Sequence, residues 1–122
     1  MSENTILIVD DEEINLQFIS AVLTRQGLKV FACDTHHDAL DFIKTNIKRV
    51  CLIIHDVIMP EGEGTLMADT YRDLNPSLPI LFVSGFSQDE DLMQRLADSA
   101  TEFLAKPFTG DELMKKVYAL SL

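Results

Sequence analysis

Five side chains of this 122-residue sequence could share one reaction: Asp10, Asp11, Asp56, Ser84 and Lys106. Three carboxylates held close together repel, since two unit charges about 4 Å apart cost roughly 4 kcal/mol at an effective dielectric of 20. Such a cluster is tolerable around a cation, and an all-oxygen donor set with an incomplete protein cage suits Mg²⁺ or Mn²⁺ rather than zinc. Water and a phosphoryl oxygen would fill the remaining octahedral positions. With the Lys106 ammonium and the Ser84 hydroxyl beside one carboxylate, the set could bind a transferring phosphoryl group and spread its charge. Asp56 would be the nucleophile, forming an acyl phosphate. Taken singly, each residue has a plainer reading, because an Asp after a strand usually caps a turn or helix and a lone Lys is usually solvated. The chemistry therefore depends on whether the fold gathers them.

The elements that would do so can be read along the chain. Asn4 to Val9 is an Ile, Leu and Val run, too short for a helix and closed by Asp10 and Asp11, as expected of a strand buried on both faces. Leu28 to Ala32, Val50 to His55, Leu78 to Val83 and Thr101 to Leu104 read the same way. Helical periodicity occupies the intervals. A first helix runs from about Glu12 to a cap at Gly27, with Ile14, Phe18, Ala21 and Val22 on one face. Further helices are expected over Asp38 to Ile47, over Thr65 to Leu74 before Asn75 and Pro76, over Ser87 to Ala97, and from Thr109 with Leu113, Val117 and Leu120 inward. Ser87 with Glu90 and Thr109 with Glu112 are capping-box patterns.

Strands alternating with helices in this way force parallel pairing and right-handed crossovers. The expected fold is α/β: a doubly wound, five-stranded parallel sheet with five helices, (βα)5. In such sheets ligands collect at the carboxyl ends of the strands. Asp10 and Asp11 follow the first strand, Asp56 the third, Ser84 the fourth and Lys106 the fifth, so the five should face one another.

Composition narrows the function. The length predicts a single domain over residues 1–122, at roughly 150 residues per domain. Ten Lys and Arg against twenty Asp and Glu leave a formal charge of −10, which lacks the basic footprint that direct nucleic-acid binding needs. The N-terminus has no cationic segment ahead of an apolar one, and no apolar run reaches membrane-spanning length, so a cytoplasmic protein with no membrane span is expected. Cys33 and Cys51 match no zinc or redox spacing and read as buried reduced thiols. His36 and His37, near Cys33, read as surface residues rather than metal ligands.

Four short segments carry a family resemblance that extends over the whole chain. Ile8 Val9 Asp10 Asp11 Glu12 resembles the acidic pair of the receiver domains of two-component response regulators. Asp56 Val57 Ile58 Met59 Pro60 resembles their phospho-acceptor segment, Val83 Ser84 Gly85 their hydroxyl position, and Lys106 Pro107 Phe108 their lysine with its proline. The resemblance implies a flavodoxin-like receiver similar to the chemotaxis regulators. It implies that Asp56 takes a phosphoryl group from a phosphohistidine on a histidine kinase or histidine phosphotransfer protein. Mg²⁺ would be bound through Asp10, Asp11, Asp56 and the backbone carbonyl of Ile58. Lys106 would bridge to the phosphoryl oxygen, the Lys106–Pro107 peptide bond would be cis, and Ser84 would move toward the phosphoryl group while Phe103, three residues before Lys106, turns inward. The face built from the fourth helix, the fifth strand and the last helix would then change its preferred partner, a downstream effector protein or domain, or a second copy in a phosphorylation-dependent dimer.

Some positions depart from the common pattern. His55 precedes the acceptor where an apolar residue is usual, and strand alternation points it away from Asp56, so a packed or partner-facing histidine is expected rather than a catalytic one. Gly62 and Gly64 are expected to keep the loop beside Asp56 mobile. Ile58 and Phe86, bulky and apolar, are expected to shield the acyl phosphate from water. Two other functions share parts of the pattern. A Mg²⁺-dependent aspartyl-phosphate phosphatase of the haloacid dehalogenase type places a second acid two residues after its nucleophile, where this chain has Ile58. A flavodoxin-like cofactor carrier needs a phosphate-cradling loop where this chain has two carboxylates. A non-phosphorylated receiver-like binding module is hard to reconcile with acceptor, metal, hydroxyl and lysine positions that are all filled. With no effector region after Leu120, output is expected through contact with another protein, unless the sequence is an excised piece of a hybrid kinase or larger regulator.

Overall fold

The computed structural model describes residues 4–60, 67–85 and 100–121. Its five strands are β1 (Thr5–Val9), β2 (Lys29–Cys33), β3 (Val50–Asp56), β4 (Ile80–Ser84) and β5 (Thr101–Ala105). They pair in parallel in the order β2-β1-β3-β4-β5. Around them lie α1 (Glu13–Arg25), α2 (His36–Thr45), α3 (Ala68–Leu74) and α4 (Gly110–Ser121). This is the doubly wound parallel arrangement that the order of elements predicts. The helix expected over Ser87 to Ala97, with its capping pattern, falls outside the described residues.

Side-chain alternation along the strands divides the core into two layers. Ile6, Ile8, Leu52, Ile54, Leu81 and Val83 pack with α1 and α4. Leu7, Val9, Ile53, Ile80 and Phe82 pack on the other face with α2 and α3. Each fully buried Leu, Ile or Phe contributes about 1.5–3 kcal/mol relative to exposure, so the central strands anchor the molecule. Anchored in this way, the strands hold their C-terminal ends in fixed relative positions.

The helix ends follow local chemistry. After α1, Gly27 adopts a positive φ of 79°, Leu28 N–H donates to the Leu23 carbonyl and Gly27 N–H to that of Thr24, closing a Schellman cap. The Thr109–Glu112 capping box forms in both directions, at 2.8 and 3.1 Å. The second helix starts two residues earlier than the periodicity suggests, because Thr35 Oγ1 accepts the Asp38 N–H at 3.0 Å and so caps the turn containing His36 and His37.

Two expectations are corrected. The α1 face made by Ile14, Phe18 and Ala21 is the exposed one, with Ile14 80% accessible, and the sheet instead receives Leu16, Ile19 and Leu23, with Val22 partly buried beside them. Both stripes are apolar, and the second is the one that faces β1 and β2, with the last helix packed alongside α1. The second to fifth strands each end one residue later than expected, the fourth also starting two residues later at Ile80, so Asp56 and Ser84 are terminal strand residues and not the first residues of loops. Their backbones are thereby held by sheet hydrogen bonds. The last helix buries Leu113 and Val117 as expected, with Met114 added and Leu120 partly buried.

Candidate functional site

The carboxyl ends of β1, β3, β4 and β5 meet in one acidic pocket. Asp10 follows β1 directly and is only 1% exposed. Its Oδ1 accepts the Glu12 N–H at 2.9 Å, which turns the chain into α1 and leaves Oδ2 facing the pocket, 3.4 Å from Lys106 Nζ. Asp56, buried at the end of β3, places Oδ1 3.4 Å from the same ammonium. Lys106 reaches both from beyond β5, and its backbone N–H donates to the Ser84 carbonyl at 2.8 Å, tying the lysine to the end of β4. The Lys106–Pro107 peptide is cis, as the resemblance implies. Ser84 is buried at the last position of β4.

Asp11 is exposed at the rim, yet one oxygen from each of Asp10, Asp11 and Asp56 lies within 4.8 Å of the others. Among the described residues this is the one acidic, His or Cys group so arranged. Burial, and then the Asp10 charge, push the Asp56 carboxyl up to about 6; Lys106 and a hydrogen bond from the Ile58 N–H oppose the rise without cancelling it. Negative charge in the pocket thus exceeds what one lysine neutralises. Hard oxygen donors on two sides and an open rim fit a small divalent cation that keeps several waters.

The remaining predicted residues are placed as follows. Ile58 is 49% exposed beside the pocket, between the buried Val57 and Met59. Phe103 lies on β5 opposite Phe82, with ring centroids 5.5 Å apart, half-buried against the α2 and α3 layer. Phe86, Gly62 and Gly64 lie outside the described residues. His55 is packed, fully buried between layers, and desolvation holds it down at about 4, so it is neutral. His37 is exposed and sits 3.3 Å from Asp41, while half-buried His36 packs against His55; neither joins the acidic cluster. Both cysteines are free thiols: Cys33 is buried and desolvation pushes it up to about 12, whereas Cys51, expected to be buried, is only half-buried against the α1 and α4 layer.

Sequence reasoning missed Glu12, whose Oε1 lies 3.8 Å from Lys106 Nζ. Its position next to the acidic pair was the available signal. It also missed that Arg72 of α3 reaches the Leu78 and Ala100 carbonyls and Thr101 Oγ1, at 3.2, 2.9 and 2.8 Å, bracing the start of β5. No sequence pattern marks that contact, which spans nearly thirty residues.

Comparison with known proteins decides the family. The model of the response regulator receiver domain matches residues 6–118. The chain belongs to that family. Receiver domains are phospho-accepting signalling modules of two-component systems; they bind Mg²⁺ at an acidic Asp cluster and partner with histidine kinases and effector domains. This receiver is 32% identical over 110 residues to the transcriptional regulatory protein ZraR of Salmonella typhimurium, covering 90% of this chain and 24% of that one. It is 27% identical to the cell cycle transcriptional regulator CtrA of Caulobacter vibrioides, covering 94% and 49%. The receiver thus spans about a quarter to a half of such relatives. Among solved structures, chemotaxis protein CheY4 of Vibrio cholerae superposes with a TM-score of 0.86 at 26% identity, covering 98% and 99% of the two chains. A response regulator receiver protein of Sinorhizobium medicae gives 0.84 at 28%, covering 96% and 93%. The fold is therefore the flavodoxin-like receiver fold. No helix among the described residues is long and apolar enough to cross a membrane.

Proposed function

We propose that residues 1–122 act as one cytoplasmic receiver domain in which Asp56 accepts the phosphoryl group. The observation that carries this reading is the placement of Lys106 Nζ 3.4 Å from both Asp10 and Asp56, with Asp56 buried and Asp11 closing the third side. Asp56 supplies the attacking oxygen; the bond from phosphorus to the donor's imidazole nitrogen breaks as the acyl phosphate forms. Lys106 leaves its shared position to neutralise a phosphoryl oxygen, and Ser84, at the adjacent strand end, offers its hydroxyl to another. Asp10, Asp11, Asp56 and the Ile58 carbonyl would hold Mg²⁺, which supplies further charge neutralisation when bound.

This division of labour lets the chain assist its own phosphorylation, while Ile58 at the pocket rim restricts water approach to the product. Ser84 and Phe103 act as the switch. They lie on neighbouring strands, with Phe103 half-buried against Phe82, and the ring would repack inward as Ser84 moves toward the phosphoryl group. The surface of β5 and α4 would then present a different face to an effector protein or domain, or to a second copy. The donor is a histidine kinase or a histidine phosphotransfer protein.

Incubation with acetyl phosphate and Mg²⁺, followed by intact mass, tests the acceptor. Wild type is expected to gain one phosphoryl group and Asp56→Asn none. A gain that persists in Asp56→Asn overturns the assignment.

A further inference from the structure

His55, which directly precedes Asp56, is tied to it by more than sequence. Its ring lies on the α2 and α3 side of the sheet with no solvent exposure. Nδ1 is 2.7 Å from the Asp56 carbonyl oxygen, and Nε2 is 2.9 Å from the Tyr71 hydroxyl on α3. A carbonyl only accepts, so Nδ1 carries the hydrogen, Nε2 accepts, and the Tyr71 hydroxyl donates. Tyr71, His36 and Phe82 pack around the ring at centroid distances of 5.6, 5.2 and 6.3 Å, so its orientation is set from three directions.

The peptide that receives this hydrogen bond is held at its other end too. Val57 N–H donates to the Val83 carbonyl at 3.0 Å. Because a peptide unit is planar, pinning its C=O and its N–H together fixes the rotation that follows the Asp56 Cα. One residue further, the Ile58 N–H bonds to the Asp56 carboxylate. A tilt of the plane would therefore carry the carboxylate away from its place between Asp10 and Lys106. An apolar residue would fill the same space without burying two ring nitrogens that must each be satisfied.

We propose that His55 is a positioning residue for the acceptor, transmitting a fixed reference from Tyr71 on α3 through its ring to the Asp56 carbonyl, and so aiming the carboxylate at phosphorus. The proposal rests on Asp56 being the acceptor. It goes beyond packing because the two ring nitrogens have separable roles. Asn at position 55 can return an N–H near the place of Nδ1, whereas Gln can reach only toward Tyr71, and Leu does neither.

Two measurements test it. Proton–nitrogen correlation spectra of the imidazoles in the full chain should show His55 as the Nδ1–H tautomer; an Nε2–H tautomer overturns the proposal. Phosphorylation by acetyl phosphate at saturating Mg²⁺ should be slower by about tenfold in His55→Gln and His55→Leu, stay within about twofold of wild type in His55→Asn, and lie between in Tyr71→Phe. These rates should not follow the melting temperatures, which a merely structural role would require. If His55→Leu does not fold, the contrast of Asn with Gln and the Tyr71→Phe variant still decide the matter. Equal rates throughout, or Asn falling with Gln, overturn the proposal while leaving the acceptor in place. A wild type that gains no phosphoryl group overturns the acceptor reading itself.

Discussion

Burial and the neighbouring Asp10 carboxylate raise Asp56 from the ordinary 3.8 to about 6, and Lys106 pulls the other way. Between those two values the folded chain holds a proton that the unfolded chain has released. Stability therefore falls as pH rises through this window, and the loss is complete above about 6. Asp56→Asn, which resembles the protonated acid, should melt above wild type near neutral pH, with the gap closing as pH falls toward 3.8. Thermal melts across the window check this; a variant that is less stable at neutral pH contradicts the charge conflict. The same proton competes with a divalent cation, so the Mg²⁺ concentration at half-saturation should rise as pH drops below about 6. Calorimetric titration at several pH values reads it directly, and a constant value would refute the competition.

At the level of elements, α1 offers two apolar stripes to the sheet and buries one. Leu16 is 6% and Ile19 1% exposed, whereas Ile14 is 80% exposed. Leu16→Ala or Ile19→Ala is expected to cost about 2–5 kcal/mol. Ile14→Ala should stay within about 0.5 kcal/mol of wild type. Denaturant unfolding distinguishes the two, and a large cost at Ile14 would reverse the assignment of faces. At the other end of the chain, Thr109→Ala removes the hydroxyl that caps α4 and should cost about 1 kcal/mol. Because α4 follows the Lys106–Pro107 segment directly, that loss is expected to loosen the lysine as well, visible as faster amide exchange at Lys106.

For the molecule as a whole, an ion held as proposed in the acidic pocket would couple binding to stability. A ligand that binds only the folded chain stabilises it by about 2.7 kcal/mol at a hundredfold excess over its dissociation constant. Mg²⁺ should therefore raise the melting temperature, chelation should lower it again, and Asp11→Asn should blunt the response while leaving the ion-free melt near that of wild type. A melt indifferent to Mg²⁺ would argue against the metal site. The net charge of −10 adds a general electrostatic attraction for cations, so the comparison requires constant ionic strength.

Much of this protein is determined by local sequence. Short Ile, Leu and Val runs read as strands, although β2, at the sheet edge, is exposed over most of its length rather than buried on both faces; their alternation with helical periods favours parallel pairing, and the topology then carries Asp10, Asp11, Asp56, Ser84 and Lys106 to one edge. The Thr109–Glu112 cap and the Gly27 stop were legible for the same reason: the interacting groups lie within a few residues of one another. What only the tertiary structure decided involves groups distant in the chain. Ile14 and Leu16 are both apolar, and which one is buried depends on how α1 rolls against β1, β2 and α4. The sequence leaves His55 as either a packed or a partner-facing histidine; its burial, and its bonds to the Asp56 carbonyl and to Tyr71, sixteen residues away, exist because β3 and α3 share a layer. Periodicity states which residues share a face, whereas the partner that face meets is a property of the assembled fold.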